Sequence, residues 1–252
     1  MTNPTSNSPT SNPKVALVAI TKHGVTQMLN LADKMPDAFV MVSEKFQDRI
    51  TDIQNHKQAY SGALKVQIEF LFNKYDQIVF FISTGAVIRL ISPHLKSKDV
   101  DPGILIVDDN AEFVIPVLSG HVGGANDYAI KIAKLLNATP VVTTASDVGK
   151  TIPVDILGRE LGWTVEAPKI NITRVSAHVV NEEPIAFVQE SGDSNWWTRP
   201  TPLPKNIHLY NKFEDVDLNT HKAILWVTQR EIADSVWQDL DERLVVYRPP
   251  VE

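Results

Sequence analysis

Between Leu118 and Asn126 the chain reads Leu-Ser-Gly-His-Val-Gly-Gly-Ala-Asn. Ser119, His121 and Asn126 bring three hydrogen-bonding side chains to one short stretch, and the imidazole is the group that titrates near neutral pH. Gly120, Gly123 and Gly124 permit positive φ and let a ligand approach the backbone closely. An apolar run precedes the motif, and a helical period of Ala129, Ile132, Ala133 and Leu136 follows it, so it reads as a strand-to-helix turn. Free N–H groups at a helix start attract anions. The expected chemistry is proton transfer by His121 beside a bound anion, with Ser119 and the N–H groups of Gly123 and Gly124 in contact. A structural histidine in a tight turn is the competing reading. Ser119, the glycines and Asn126 around His121 favour chemistry.

Two other loops offer groups of the same kind. Ser83-Thr84-Gly85-Ala86 ends an apolar run, and Arg89 falls one turn later. A guanidinium there could hold a carboxylate in bidentate fashion, or it could be a solvated arginine behind a helix cap. Thr143-Thr144-Ala145-Ser146-Asp147 follows another apolar run. Asp147 could orient His121 or act as a base, or it could cap the next segment. Asp155, His94 and His178 read as structural or solvated. Asp99, Asp101, Asp108 and Asp109 read as loop charges without a metal-ligand spacing. Trp196 and Trp197 fit either a lid over a planar ligand or ordinary packing. The sequence contains no GxxxxGK[ST] phosphate loop, no GxGxxG after the first strand and no GxSxG elbow.

Short β-branched runs predict strands at 14–21, 38–43, 78–83, 104–107, 112–118 and 140–144. Helical spacing predicts helices from Gly24, over 86–95 and over 123–136. The turn at Asp108-Asp109-Asn110 makes 108–118 a hairpin, and Pro116 marks an edge or a bulge. Beyond 150, a helix is expected at 154–161, ended by Gly162, with strands at 178–190, 207–210, 223–228 and 244–247. The fold class is therefore α/β: a mostly parallel sheet with helices on both faces, plus a second, smaller α/β lobe. The expected division is a disordered tail over 1–13, a main domain over 14–149 and a smaller domain over 150–252. Ligands of open α/β sheets bind beyond the carboxyl ends of strands. The loops at 84–89, 119–126 and 143–147 are accordingly expected to form one site.

The chain has no cysteine, which excludes disulfides, a cysteine nucleophile and thiolate metal sites. A net charge of −6 gives no global attraction to nucleic acid or to a membrane surface, so an anionic ligand needs local groups. No apolar run approaches the ~20 residues that span a bilayer, and the N-terminus lacks a signal-peptide core. A cytoplasmic address is expected.

Gly85-x-x-x-Arg89-x-x-x-Pro93, Asp101-Pro102, Val107-Asp108, the 118–126 motif, Thr143-Thr144-x-x-Asp147 and Pro153-x-Asp155 stand in this order. Together they resemble the cobalt-precorrin-5A hydrolases, the CbiG family. The likeness is strongest over 78–165 and extends more weakly through stretches such as 183–190. It implies opening of the ring A acetate δ-lactone of cobalt-precorrin-5A, with loss of C20 and its methyl group as acetaldehyde. The product would be cobalt-precorrin-5B, in anaerobic cobalamin biosynthesis. Cobalt would arrive with the substrate, and no protein-held cofactor or metal is expected. Many members continue into a further C-terminal domain, whereas this sequence ends shortly after Tyr247-Arg248-Pro249-Pro250. His121, Asp147 and Ser119 would then be the catalytic group. Thr84, Gly85, Arg89, Gly120, Gly123, Gly124, Asn126, Thr143 and Thr144 would bind substrate. Two other readings stay open: a corrinoid-binding module that needs a partner domain, and a sugar-phosphate or anion-binding α/β enzyme. The expected partner is the small-molecule corrinoid, with self-association or contact with other cobalamin-pathway enzymes, and no nucleic acid or membrane.

Overall fold

The computed structural model describes residues 14–251. The expected tail over 1–13 lies outside the described residues. The described residues fold as two compact units that divide between Val142 and Thr143. The segment 143–149, expected with the first domain, packs with the second, where Asp147 pairs with Arg199.

The first unit holds β1 (Val15–Ala19), α1 (Lys22–Lys34), β2 (Phe39–Ser43), β3 (Lys57–Tyr60), α2 (Ile68–Lys74), β4 (Gln77–Phe81) and α3 (Thr84–Ile91). It continues with β5 (Gly103–Val107), β6 (Phe113–Leu118), α4 (Ala125–Leu136) and β7 (Thr139–Pro140). The strands form one sheet in the order β3-β2-β1-β4-β5-β6-β7. The first five run parallel, and β6 runs antiparallel to β5. Alternate residues of β1 enter two different cores. Val15, Leu17 and Ala19 meet Val25 and Met28 of α1 and Ile132 of α4. Ala16 and Val18 meet Ile68 of α2 and Val87 of α3. Burial on both faces is why this strand reads as an unbroken apolar run. It also puts helices on both faces of the sheet, as expected.

The 108–118 hairpin forms, and the Asp108 carboxylate accepts from the Asn110 N–H at 3.1 Å and the Phe113 N–H at 2.6 Å. Pro116 has both expected settings. The register shifts beside it, between Ile104 and Leu105, and β7 pairs only with Phe113 and Val114. The strand expected at 140–144 shrinks to β7 plus one bond from the Val141 N–H to the Val114 carbonyl.

The second unit holds α5 (Ala145–Val148), β8 (Thr164–Glu166), α6 (Lys169–Val180), β9 (Ile185–Gln189), β10 (Ile207–Tyr210), β11 (Ala223–Val227), α7 (Asp234–Leu240) and β12 (Leu244–Arg248). Its sheet order is β10-β9-β11-β12-β8, with only β8 antiparallel. Two expectations fail here. Residues 178–190 are not one strand, because α6 runs through Val180 and buries Val175 and Val179 at helical spacing. Glu182 then takes φ +57° before β9 begins. Residues 154–161 form turns closed by a short 3-10 turn over Arg159–Leu161, not an α-helix. Gly158, at φ +71° against the Trp163 ring, interrupts any helix there. Gly162, at φ +74°, ends that turn as expected.

Candidate functional site

The antiparallel direction of β6 decides where the glycine-rich loop lies. Leu118 pairs with Ile104 near the start of β5, so the loop leaves β6 at the amino ends of the parallel strands. Gln77, the first residue of β4, is buried and donates its side-chain N–H to the Gly123 carbonyl. Thr84 and Gly85, by contrast, open α3 just past the carboxyl end of β4. The five residues of β4 separate the two loops, about 16 Å at ~3.3 Å per residue. The structure therefore does not gather the loops at 84–89 and 119–126 into one site. Thr143, Thr144 and Asp147 belong to the second unit.

Within the 119–126 loop, three backbone N–H groups are taken up by carbonyls of the loop itself. The Ala125 N–H donates to the Ser119 carbonyl at 3.2 Å, the Asn126 N–H to Gly120 at 3.0 Å, and the Gly124 N–H to His121 at 2.9 Å. The N–H groups of Gly124, Ala125 and Asn126 are consequently engaged within the loop and do not stand open to an anion. The glycines serve this compaction. A Cβ on Gly120 would stand 2.6 Å from Asn126 Oδ1, and one on Gly123 would stand 2.5 Å from Ser119 Cβ. Asn126 is buried beneath the loop. Ser119 carries the strain, with φ +54° in the left-handed region, which costs a non-glycine residue about 1–2 kcal/mol. Its Oγ is buried and has no hydrogen-bond partner among the described residues. Strained residues of this kind cluster at functional sites. His121 is half-buried in the middle of the loop.

At the carboxyl edge, the Ser83 carbonyl accepts from the Ala86 and Val87 N–H groups, and Arg89 Nη1 donates to the Gly85 carbonyl at 2.8 Å. Arg89 also lines a cleft of about 690 Å³ that Thr84 and Gly85 do not line. His94, read from sequence as structural or solvated, lines this cleft too. Asp101 is not a solvated loop charge. It is buried, and its carboxylate accepts from the Lys96 N–H at 3.0 and 3.1 Å.

In the second unit, the Thr144 carbonyl accepts from the Asp147 and Val148 N–H groups. The Asp147 carboxylate accepts from Arg199 Nη2 at 2.7 Å, with both side chains about one-quarter exposed. Arg199 carried no motif and was missed; the same holds for Gln77, whose only signal is a polar residue opening an apolar strand. His178 is held by Glu183. Trp196 stacks on Phe187 with centroids 4.1 Å apart and donates to Gln189 Oε1. Trp197 donates to the Thr201 carbonyl at 2.7 Å. Packing, not a lid, accounts for both. Burial, with a smaller contribution from the Asp155 charge, pushes the Tyr247 phenol well above its usual range.

The carboxyl ends of β9 and β11, where the second sheet reverses its order, carry an ion network. Arg230 bridges Glu190 and Glu214, and Thr228 Oγ1 donates to Glu190 at 2.8 Å. Burial pulls the Glu190 carboxyl up, but donation from Arg230, Thr228 and the Phe213 N–H outweighs it and holds the group below its ordinary range. A depressed carboxylate contributes stability above its unfolded pKa and loses it as pH falls through the folded value. Wild-type thermal stability should therefore fall as pH drops below the unfolded glutamate value of about 4.3, and Glu190→Gln should show a shallower decline. A melting series from pH 6 to pH 3 checks this, and parallel curves would remove Glu190 from the acid response.

Among the described residues, no three His, Asp or Glu side chains form a metal-binding group, and no helix is long and apolar enough to cross a membrane.

Comparison with known proteins gives consistent matches. The model of the cobalamin synthesis G N-terminal region matches residues 67–147, and that of the cobalamin biosynthesis central region matches 152–249. A cobalt-precorrin-5A hydrolase of Priestia megaterium is 44% identical over 94% of this chain and 62% of its own length. A cobalt-precorrin-5A hydrolase of Salmonella typhimurium is 27% identical over 73% of this chain and 48% of its own length. The chain thus spans less than two thirds of these relatives. A solved Sulfolobus solfataricus chain, described as a cobalamin biosynthesis protein G homolog, aligns with a TM-score of 0.47 and 21% identity, over 94% of this chain and 60% of its own.

Proposed function

The chain belongs to the CbiG family, carrying its N-terminal and central regions, and from that membership we propose that it opens the ring A δ-lactone of cobalt-precorrin-5A and releases acetaldehyde. The observation that carries this reading is the 44% identity to a cobalt-precorrin-5A hydrolase over 94% of the chain. The loop geometry supports a place for the chemistry.

In the reaction, water adds to the lactone carbonyl and the acyl–oxygen bond breaks. This frees the ring A acetate as a carboxylate and leaves the other oxygen on C20. The bond between C20 and the macrocycle then breaks, so C20 departs with its methyl group as acetaldehyde. The macrocycle keeps the electron pair and takes up a proton. Water supplies the added oxygen, so the reaction needs no external oxidant or reductant and no cofactor held by the protein. Cobalt is part of the substrate. Both steps need a group that accepts and returns a proton, and His121 is that group. Ser119, two residues before it, holds the strained backbone of the same loop at φ +54°, which supports the loop as a functional one. Of the substrate-binding residues expected from sequence, Thr84, Gly85 and Arg89 stand at the other edge of the sheet and take no part at this loop.

The test is acetaldehyde release by the purified chain supplied with cobalt-precorrin-5A. One acetaldehyde per macrocycle is expected. Tight corrinoid binding without acetaldehyde would overturn the hydrolase reading and mark a binding module.

A further inference from the structure

Segments beyond the carboxyl ends of β1, β3 and β4 enclose the cleft of about 690 Å³, a size typical of small-molecule sites. It lies where the sheet order turns, since β1 is flanked by β2 on one side and β4 on the other. Open α/β sheets bind ligands at this place. Ile20, Val66 and Leu90 supply its apolar wall. Val66 is 69% exposed and Ile20 37% exposed, so this wall faces solvent and is left without a partner. Its charged or titratable lining consists of Lys65, Arg89 and His94, with no carboxylate. In a chain of net charge −6, that is a local reversal of sign.

An apolar wall under a cationic rim fits a bulky apolar body that carries several carboxylates. We infer that this cleft is a corrinoid-binding site, with the macrocycle face on Ile20, Val66 and Leu90 and peripheral carboxylates on Lys65 and Arg89. The choice of occupant rests on the function proposed above; the charge and shape of the cleft do not. The cleft lies at the carboxyl edge of the sheet and the 119–126 loop at its amino edge, with β4 between them.

Cobyrinic acid, a cobalt corrin with peripheral carboxylates, is the probe, and cobinamide, whose periphery is amidated, is the control. Both are titrated by absorbance into the wild type, Val66→Glu, Arg89→Glu and Ile130→Glu, with circular dichroism to verify folding; Ile130 is an exposed apolar residue of α4 outside the cleft. The wild type should bind the carboxylate form at least tenfold more tightly than the amide form. Val66→Glu and Arg89→Glu should each weaken cobyrinic acid binding at least tenfold, and Ile130→Glu should leave it unchanged. Val66 is exposed, so its variant tests the cleft without disturbing a core. Equal affinity across the wild type and both cleft variants, or an equal loss in Ile130→Glu, would overturn the inference. Failure of both corrinoid binding and acetaldehyde release in the wild type would instead sink the functional reading on which the occupant depends.

Discussion

On the proposed function, replacing His121 by alanine should lower the rate of acetaldehyde release by a factor of about 10² to 10⁴, the usual contribution of a positioned proton carrier. The bond that closes the turn uses the His121 carbonyl, which accepts from the Gly124 N–H, and the bonds from Ala125 and Asn126 use the Ser119 and Gly120 carbonyls. These backbone bonds do not depend on the side chain at 121, and the melting temperature of the variant, measured beside its rate, separates a lost proton carrier from a loosened loop. Single-turnover assays separate this effect from slow product release, and His121→Asn keeps a polar side chain without a titratable ring. If both variants turn over at the wild-type rate, His121 leaves the chemistry and a structural histidine is the correct reading. A rate loss that tracks a large fall in melting temperature would point the same way.

The parallel sheets were legible because their central strands are buried on both faces. Val15–Ala19, Gly103–Val107 and Ala223–Val227 are each buried throughout, and such segments leave only apolar residues in the sequence. Helix α4 was legible from Ala129, Ile132 and Ala133, which turn one face into the core. The assembly of the site was misread, although the needed information was present. Asp108-Asp109-Asn110 signalled a tight hairpin, and a hairpin makes β6 antiparallel to β5. Its end at Leu118 must then lie beside the start of β5, at the amino edge of the sheet, while Thr84 follows the carboxyl end of β4. Treating every strand end as equivalent merged two sites that the sheet holds apart. The cleft was illegible for a different reason. Ile20, Lys65, Val66, Arg89 and His94 come from three separate segments; the first three carry no motif, and Arg89 was read with Thr84 and Gly85 rather than with them. Only the strand order β3-β2-β1-β4 brings them together. Gln77 and Arg199 were invisible because a single long-range hydrogen bond or ion pair leaves no pattern along the chain.

Gly123→Ala should destabilise the first unit and lower the proposed activity with it. The backbone of Gly123 is not left-handed, so alanine meets no torsional penalty there. The obstacle is space, since the new Cβ would stand 2.5 Å from Ser119 Cβ and 2.8 Å from the Ser119 carbonyl oxygen. Neither atom is the end of a flexible side chain. Ser119 already sits at φ +54°, and its carbonyl accepts the Ala125 N–H that starts α4. Moving Ser119 therefore loosens the helix start and the loop together, at a cost of about 1–3 kcal/mol by analogy with overpacked cores. That corresponds to a melting temperature lower by roughly 2–12 °C at ~2–4 °C per kcal/mol. Gly124→Ala is the informative companion. Its Cβ would meet nothing closer than Gln77 Nε2 at 3.5 Å, so its cost is the torsional one at φ +77°, about 1–2 kcal/mol. Differential scanning calorimetry of the two variants should rank Gly123→Ala as the more damaging. If the glycine at 123 existed only to let a ligand approach, Gly123→Ala would melt like the wild type and raise KM alone. That result would return the loop to the open, anion-receptive turn that the sequence suggested.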